Sequence, residues 1–183
     1  SFKTWSRLVT TYDSETSKFT SSPVSGWKEK HHAYFLEGKL ELIDVEGEWF
    51  FNSSSKILFY MPPEGNNANN LDLRVKVQAY SFDFSNSNNI TLQGLEFFGT
   101  TFRFYDCTNC SVTDSTLLYP STSKRGLGIA AENSDERWTT RMDRCKNCLI
   151  DSSAFLYTDG AAIEMHGAEL QHHNNTINNT YFY

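Results

Sequence analysis

Residues 89–97 read Asn-Ile-Thr-Leu-Gln-Gly-Leu-Glu-Phe, and three further copies of this pattern follow in the chain, at residues 109–117, 147–155 and 174–182. Each copy begins with Asn, places an aliphatic residue after two intervening positions, and continues through a polar turn to a second apolar position. A motif that recurs in one register predicts a solenoid in which each copy belongs to one coil.

The distance between copies varies, because the leading Asn residues stand at positions 89, 109, 147 and 174. Coils of a parallel β-helix accept insertions at their corners, which lie outside the stack. Asn side chains at one corner would hydrogen-bond along the coil axis at the strand spacing of about 4.8 Å. We therefore predict an all-β fold, a right-handed parallel β-helix (solenoid) with an irregular N-terminal segment and corner insertions.

A second strand can be aligned after each of the first three copies, at residues 101–106, 128–133 and 162–167. Because strand side chains alternate between faces, this alignment predicts two inward columns, Phe102 with Ile129 and Ile163, and Phe104 with Ala131 and Met165. It predicts two outward columns, Arg103 with Ala130 and Glu164, and Tyr105 with Glu132 and His166. A slip of one residue would turn every side chain over.

The domain division follows from where the pattern is visible. Residues 1–30 are predicted to be an N-terminal extension or irregular segment, and residues 31–183 to form the coils, with weaker copies over residues 34–65. The sequence stops inside a repeat copy, and the open end of a β-helix needs a cover. We expect the coils to continue beyond residue 183, or another chain to cap them.

Three segments carry a family resemblance: Gly-Glu-Trp-Phe-Phe at 47–51, Leu-Phe-Tyr-Met-Pro-Pro-Glu-Gly at 58–65, and Asn-Ile-Thr-Leu-Gln-Gly-Leu at 89–95. They resemble segments of large extracellular right-handed β-helix proteins of the pectate-lyase-like superfamily. The resemblance covers residues 30–183 and implies an extracellular carbohydrate-active or carbohydrate-binding protein, such as a polysaccharide lyase or glycoside hydrolase. A fold does not fix a function, so a structural or adhesive β-helix module without catalysis is the alternative.

Composition and sequons bear on partners and location. A net charge of −6 argues against a general nucleic-acid binder, and no stretch approaches the roughly 18 apolar residues of a membrane span. Five Asn-x-Ser/Thr sequons predict N-linked glycans and hence secretion; they begin at Asn52, Asn89, Asn109, Asn174 and Asn178. A polysaccharide is the expected partner, and the chain contains no phosphate loop, nucleophile elbow or calcium loop, so no cofactor or metal is predicted.

All four cysteines lie in two C-x-x-C pairs, Cys107 with Cys110 and Cys145 with Cys148. Four thiolates suit tetrahedral zinc. The repeat instead places Cys107 beside Cys145 and Cys110 beside Cys148 on adjacent coils, at a separation that a disulfide can span. Disulfides are the favoured prediction for a secreted protein, with free stacked thiols and a metal site as the alternatives.

The predicted chemistry lies on the outward face of the second strand, where proton donors and acceptors would meet. The candidate catalytic residues are Tyr105, Glu132, Glu164 and His166, since elimination or hydrolysis of a glycan needs an acid and a base. Cations that could neutralise a uronate, and a ring that could stack on a sugar, surround them; these candidates are Lys124, Arg125, Arg137, Trp138 and Arg141. The same residues also suit an ordinary polar sheet face stabilised by cross-strand pairs.

Overall fold

The computed structural model describes residues 7–21, 34–122, 139–168 and 172–183. These residues fall into two units, one ending at Arg74 and the other beginning at Val75. Both are built from β-strands, with two short 3-10 helices, Leu40–Leu42 and Ala68–Asn70, in the first. None of the helices in these ranges is long and apolar enough to cross a membrane.

The first unit contains two antiparallel hairpins, formed by β1 (Val9–Asp13) with β2 (Lys18–Ser21) and by β3 (Trp49–Asn52) with β4 (Ile57–Tyr60). The second hairpin lies where the sequence predicts coils. Its turn is too short for a parallel connection, which needs a crossover of a dozen or more residues. Among the described residues, the first strand that pairs in parallel begins at Tyr80, and the division at residues 30 and 31 stays a prediction.

The second unit is a right-handed parallel β-helix of four coils, as predicted. Each coil contributes one strand to each of three parallel four-stranded sheets. Sheet A consists of β5 (Tyr80–Ser85), β8 (Thr101–Tyr105), β11 (Thr140–Asp143) and β14 (Ile163–His166). Sheet B consists of β6 (Thr91–Gln93), β9 (Ser111–Thr113), β12 (Leu149–Asp151) and β15 (Thr176–Asn178). Sheet C consists of β7 (Glu96–Phe98), β10 (Thr116–Leu118), β13 (Ala154–Leu156) and β16 (Tyr181–Phe182).

The corners explain why each repeat copy begins with Asn. Asn89, Asn109, Asn147 and Asn174 all have φ between 53° and 58°, a left-handed conformation that Asn tolerates better than most other residues. Their backbones join the ladder between coils: the Asn89 N–H donates to Thr108 O and the Asn109 N–H to Lys146 O. The predicted side-chain ladder is weaker, with Asn109 Nδ2 3.5 Å from Asn89 Oδ1.

The core consists of inward columns that run through all four coils. One joins Leu92, Val112, Ile150 and Ile177; another joins Phe97, Leu117, Phe155 and Phe182. In sheet A the column is Phe84, Phe104, Met142 and Met165. The side chains of coils 2 and 3 in these columns are fully buried, so packing between coils, at the density of a protein interior, stabilises the helix.

The third column corrects one predicted alignment. Phe104 and Met165 do share an inward column, but the residue between them is Met142 and not Ala131, because β11 pairs with both β8 and β14. Residues 128–133, the predicted middle strand, lie outside the described residues. The long connection between coils 2 and 3 therefore precedes the middle strand of sheet A, whereas the alignment placed that strand earlier in the chain. The outward columns change accordingly.

Candidate functional site on sheet A

The outward face of sheet A brings together two columns of polar side chains. The first outward column contains Asp83, Arg103, Arg141 and Glu164, and the second contains Ser85, Tyr105, Asp143 and His166. Of the predicted catalytic residues, Tyr105, Glu164 and His166 lie here, and the predicted substrate-binding Arg141 joins them. Side chains of one column sit one strand spacing apart, about 4.8 Å, so each can interact with its neighbours.

Residue Asp143 occupies the position that the sequence assigned to Glu132. It stands between Tyr105 and His166 in the second outward column. Glu132 lies outside the described residues, as do the predicted substrate-binding residues Lys124, Arg125, Arg137 and Trp138. The described part of the site therefore rests on the sheet itself.

The first outward column is organised by ion pairs. Arg103 binds Asp83 through two parallel contacts, Nε to Oδ1 at 2.8 Å and Nη2 to Oδ2 at 2.9 Å. This hydrogen bonding to Asp83 raises the pKa of Arg103, so its charge is permanent. The guanidinium also lies 5.4 Å from the ring centroid of Tyr80. Burial raises the pKa of the Tyr80 phenol, against the effect of Arg141 and Arg103, which keeps it a proton donor at neutral pH.

Asp143 is the most unusual group on the face. It is only 6% exposed, and its Oδ2 lies 3.0 Å from Arg141 Nε. Its other oxygen, Oδ1, is buried and has no hydrogen-bond partner among the described residues. A buried, unsatisfied polar atom costs about 1–3 kcal/mol, more when charged, and such atoms call for an explanation, which is often a functional one.

His166 and Glu164 form the outer edge of the site on β14. His166 Nε2 lies 3.3 Å from Glu164 Oε2, and the His166 side chain is 57% exposed whereas that of Glu164 is 11% exposed. A largely shielded carboxylate that holds one nitrogen of an exposed imidazole orients the ring and leaves the other nitrogen, Nδ1, able to accept a proton. The pair therefore has the arrangement of a base and its orienting group.

The corner that follows the strands of sheet A is held by a separate ion pair. Arg144 forms a two-pronged contact with Asp106 on the preceding coil. Its guanidinium also covers the ring of Tyr105, at 4.6 Å from the centroid. These contacts immobilise Tyr105 at the end of β8 and link coils 2 and 3 at the edge of the face.

The four cysteines occupy the predicted register but are free thiols, so the structure does not support the predicted disulfides. The residues Cys107, Cys110, Cys145 and Cys148 are 0–1% exposed. In an in-register stack, equivalent Cβ atoms stay at the strand spacing of about 4.8 Å, beyond the roughly 3.5–4.5 Å of a disulfide. Each thiol instead approaches backbone carbonyls, as Cys145 Sγ does at 3.5 Å from Phe104 O and 3.4 Å from Asp143 O.

The thiols have the electrostatics of a buried core. Burial raises the pKa of Cys110 to about 11, and a hydrogen bond with Cys148, together with burial, raises that of Cys145. Within the described ranges, no group of three or more His, Cys, Asp or Glu residues is placed to hold a metal ion. The quartet is therefore packed as part of the core.

The predicted glycosylation sites have different surroundings. Asn89, Asn109 and Asn174 are exposed at left-handed corners. Asn52 is half-buried and its Oδ1 accepts from the Ser54 and Ser55 amides. Exposed Asn178 donates to Asp151 Oδ1 at 2.8 Å. The three corner residues offer the most accessible amides, and glycosylation at all five positions stays a prediction.

Sequence reasoning missed Asp143 as a member of the site, although a signal for it existed. Arg103 and Arg141 both stand six positions before the leading Asn of a copy, and Tyr105 and Asp143 both stand four positions before it. Counting back from the Asn would have aligned β8 with β11. It would have failed for β14, because coil 4 has additional residues between β14 and Asn174.

No family model, curated protein or solved structure matches the chain. The stacked parallel sheets agree with the β-helix that the resemblance implies.

Proposed function

We propose that the face of sheet A processes a polysaccharide by acid–base chemistry, in a secreted, N-glycosylated protein of the pectate-lyase-like superfamily. The observation that carries the proposal is the buried Asp143 carboxylate, whose Oδ1 has no partner in the described part of the chain. It lies in one column with Tyr105 and His166. A buried polar atom without a partner often marks a functional position, and the other oxygen of Asp143 holds Arg141 on the face.

The best-supported reaction is β-elimination at a uronate unit of an acidic glycan. Arg141 and Arg103 lie side by side in the first outward column. The guanidinium nitrogens that do not contact Asp143 or Asp83 hydrogen-bond the uronate carboxylate, which makes the neighbouring C5 proton more acidic. His166 takes that proton through Nδ1, while Glu164 holds Nε2. The C4–C5 double bond forms as the bond from C4 to the glycosidic oxygen breaks, and Tyr105 donates its phenolic proton to the leaving oxygen.

Hydrolysis is the other reaction that two carboxylates permit, since Asp143 and Glu164 could serve as acid and base around a glycosidic bond. The pair of arginines favours elimination, because a neutral sugar offers no charge for them to neutralise. The two outward columns run along the coil axis through all four coils. An extended chain therefore fits it better than a small molecule.

The test is turnover of acidic polysaccharides by the purified protein and three variants. Alginate, polygalacturonate and hyaluronan are incubated with each protein, and the ultraviolet absorbance of the unsaturated product is followed. We expect His166→Gln and Tyr105→Phe each to lower turnover by about 100-fold or more, the usual contribution of a positioned acid or base. Asp143→Asn should also lower turnover, because Arg141 loses the carboxylate that holds it. The matched control is Asp151→Asn, which removes a carboxylate from the outward side of sheet B and should leave turnover unchanged.

Each result distinguishes among the functions considered. Release of reducing ends without unsaturated product would replace elimination by hydrolysis. Retention on immobilised polysaccharide with no product from any substrate would make the face a binding surface. Turnover that survives in both the His166→Gln and Asp143→Asn variants would remove the sheet A face from the mechanism.

A further inference from the structure

A second surface feature lies outside sheet A, at the corner that follows sheet C. Four aromatic rings form a continuous column there, here called the aromatic column: Phe98, Tyr119, Tyr157 and Tyr183. Successive ring centroids are 5.8, 5.1 and 5.4 Å apart. The four residues are 48%, 48%, 51% and 67% exposed, so the rings contact each other and solvent together.

The backbone under the two central rings is in an unfavourable conformation. Tyr119 and Tyr157 have φ of 53° and 56°, and the left-handed region costs an ordinary residue about 1–2 kcal/mol. The equivalent position of coil 1 is Gly99, with φ of 64°, which adopts this conformation without that cost. Strained residues persist where surrounding structure or function requires them, and two exposed tyrosines contribute little to a core.

The orientation of the rings suits a ligand that lies alongside the column. Tyr119 and Tyr157 are stacked with an interplanar angle of 18°, whereas Phe98 and Tyr183 are rotated by 74° and 86° from their neighbours. In an edge-to-face pair, one ring points its edge at the face of the other, so its own face is turned away from that neighbour. The column therefore combines a stacked central pair with end rings turned across it, and it carries the phenol hydroxyls of Tyr119 and Tyr157 between them.

We infer that the aromatic column is a binding platform for an extended polysaccharide chain of 1,4-linked pyranose units. The C–H groups on the face of a pyranose carry partial positive charge and are attracted to the negative face of an aromatic ring. The rings repeat at the spacing of the coils, which is close to the length of one pyranose unit in an extended chain. The column contains no charged side chain, so it recognises the sugar backbone and not its substituents.

The exposed area favours a glycan over a second copy of the protein. An aromatic side chain contributes about 150–250 Å², so four rings at roughly half exposure offer on the order of 300–500 Å². A standard protein interface needs about 800 Å² from each partner. A strip one ring wide and four coils long is too small for a stable dimer, but it matches the footprint of a single sugar chain. The inference does not depend on catalysis at sheet A.

The test uses affinity electrophoresis of the full chain in gels that contain glucomannan or alginate, and calorimetry with 1,4-linked oligosaccharides. The informative variant is the double substitution Tyr119→Gly and Tyr157→Gly, because glycine relieves the left-handed strain as it does at Gly99. We expect an affinity at least tenfold lower with no fall in melting temperature. For the wild type, affinity should rise with oligosaccharide length up to about four units, the number of rings in the column.

Two controls separate this inference from the proposed function. Tyr12→Ala removes an exposed tyrosine outside the column and should bind as wild type, and Asp143→Asn should lose turnover but keep binding to the column. The inference would be overturned if the double glycine variant were retarded by the polysaccharide gels as strongly as the wild type. It would also be overturned if the wild type bound neither polysaccharide. A wild type that sediments as a dimer, and a double variant that sediments as a monomer, would show that a second copy occupies the column instead.

Discussion

Single residues at the corners determine which sequences this β-helix accepts. Fourteen non-glycine residues among those described have positive φ, and most stand at equivalent corner positions of the second unit. Asn89, Asn109, Asn147 and Asn174 share one corner, and Asp114, Ser152 and Asn179 share another with Gly94. Short polar side chains tolerate the left-handed region because they can hydrogen-bond locally, so the backbone explains the repeat better than side-chain stacking does.

This explanation predicts opposite results for two substitutions of Asn147, whose φ is 53° and whose N–H donates to His173 O. Asn147→Gly should change the free energy of unfolding by only a few tenths of a kcal/mol, since glycine adopts this conformation freely. Asn147→Val should cost about 1–2 kcal/mol or more, because a β-branched residue is strained there. Urea unfolding followed by circular dichroism measures both. Equal losses would instead assign the role of Asn147 to its side chain.

The candidate site could be predicted only in part, for reasons visible at individual residues. Tyr105, Glu164 and His166 were found because β8 and β14 keep the alternation of strand side chains. Asp143 was missed because nothing in residues 128–143 shows from periodicity alone where the insertion ends and the strand begins. The unpaired Oδ1 could not have been foreseen either, since it depends on burial in three dimensions.

The side chains of a strand contribute more to stability when neighbouring coils cover them on both sides. Phe104 is fully buried in the middle of its column, next to Phe84 and Met142. Phe182 occupies a similar inward position in coil 4 but is 45% exposed. Phe104→Ala should therefore lower the free energy of unfolding by about 3–5 kcal/mol, the usual cost of a cavity left by a phenylalanine.

The matched variant Phe182→Ala should cost less than half as much, because its ring already contacts water. Chemical denaturation of the two variants side by side gives the comparison. Similar losses would mean that coil 4 is packed as tightly as coil 2 in solution, contrary to its exposure.

The register of the Asn-headed copies was predictable from sequence, whereas the middle strand of sheet A and the direction of some strands were not. The bridges Asn88 with Thr108, Thr108 with Lys146, and Lys146 with His173 confirm the alignment of all four Asn-headed copies. β3 and β4 are apolar and lie where the sequence predicts coils, but the short turn between them makes them antiparallel. Apolar patterns predict strands, but the length of the connection decides how the strands pair.

The molecule as a whole combines a proposed extracellular location with free thiols in its core. Cysteines outside the cell usually form disulfides, and oxidation proceeds through the thiolate. Here the quartet is almost fully buried, and burial raises the pKa of Cys110 to about 11. Burial limits the access of oxidants to all four thiols, and the raised pKa of Cys110 keeps that thiol protonated.

The same buried thiol predicts how the stability of the protein depends on alkaline pH. The usual pKa of a thiol is 9.0, and that of Cys110 is raised to about 11, so between these values the unfolded chain has lost a proton that the folded chain keeps. The free energy of unfolding should fall as pH rises through this window, by at most about 1.4 kcal/mol per pH unit for this group, and should be unaffected by it below pH 9. Urea midpoints measured from about pH 8 to about pH 11 test this against Cys110→Ala, which is less stable throughout but should show a shallower alkaline decline. Tyrosine and lysine side chains titrate equally in both proteins, so the difference between the two slopes of unfolding free energy against pH reports Cys110. Identical slopes would show that the pKa of Cys110 is not raised.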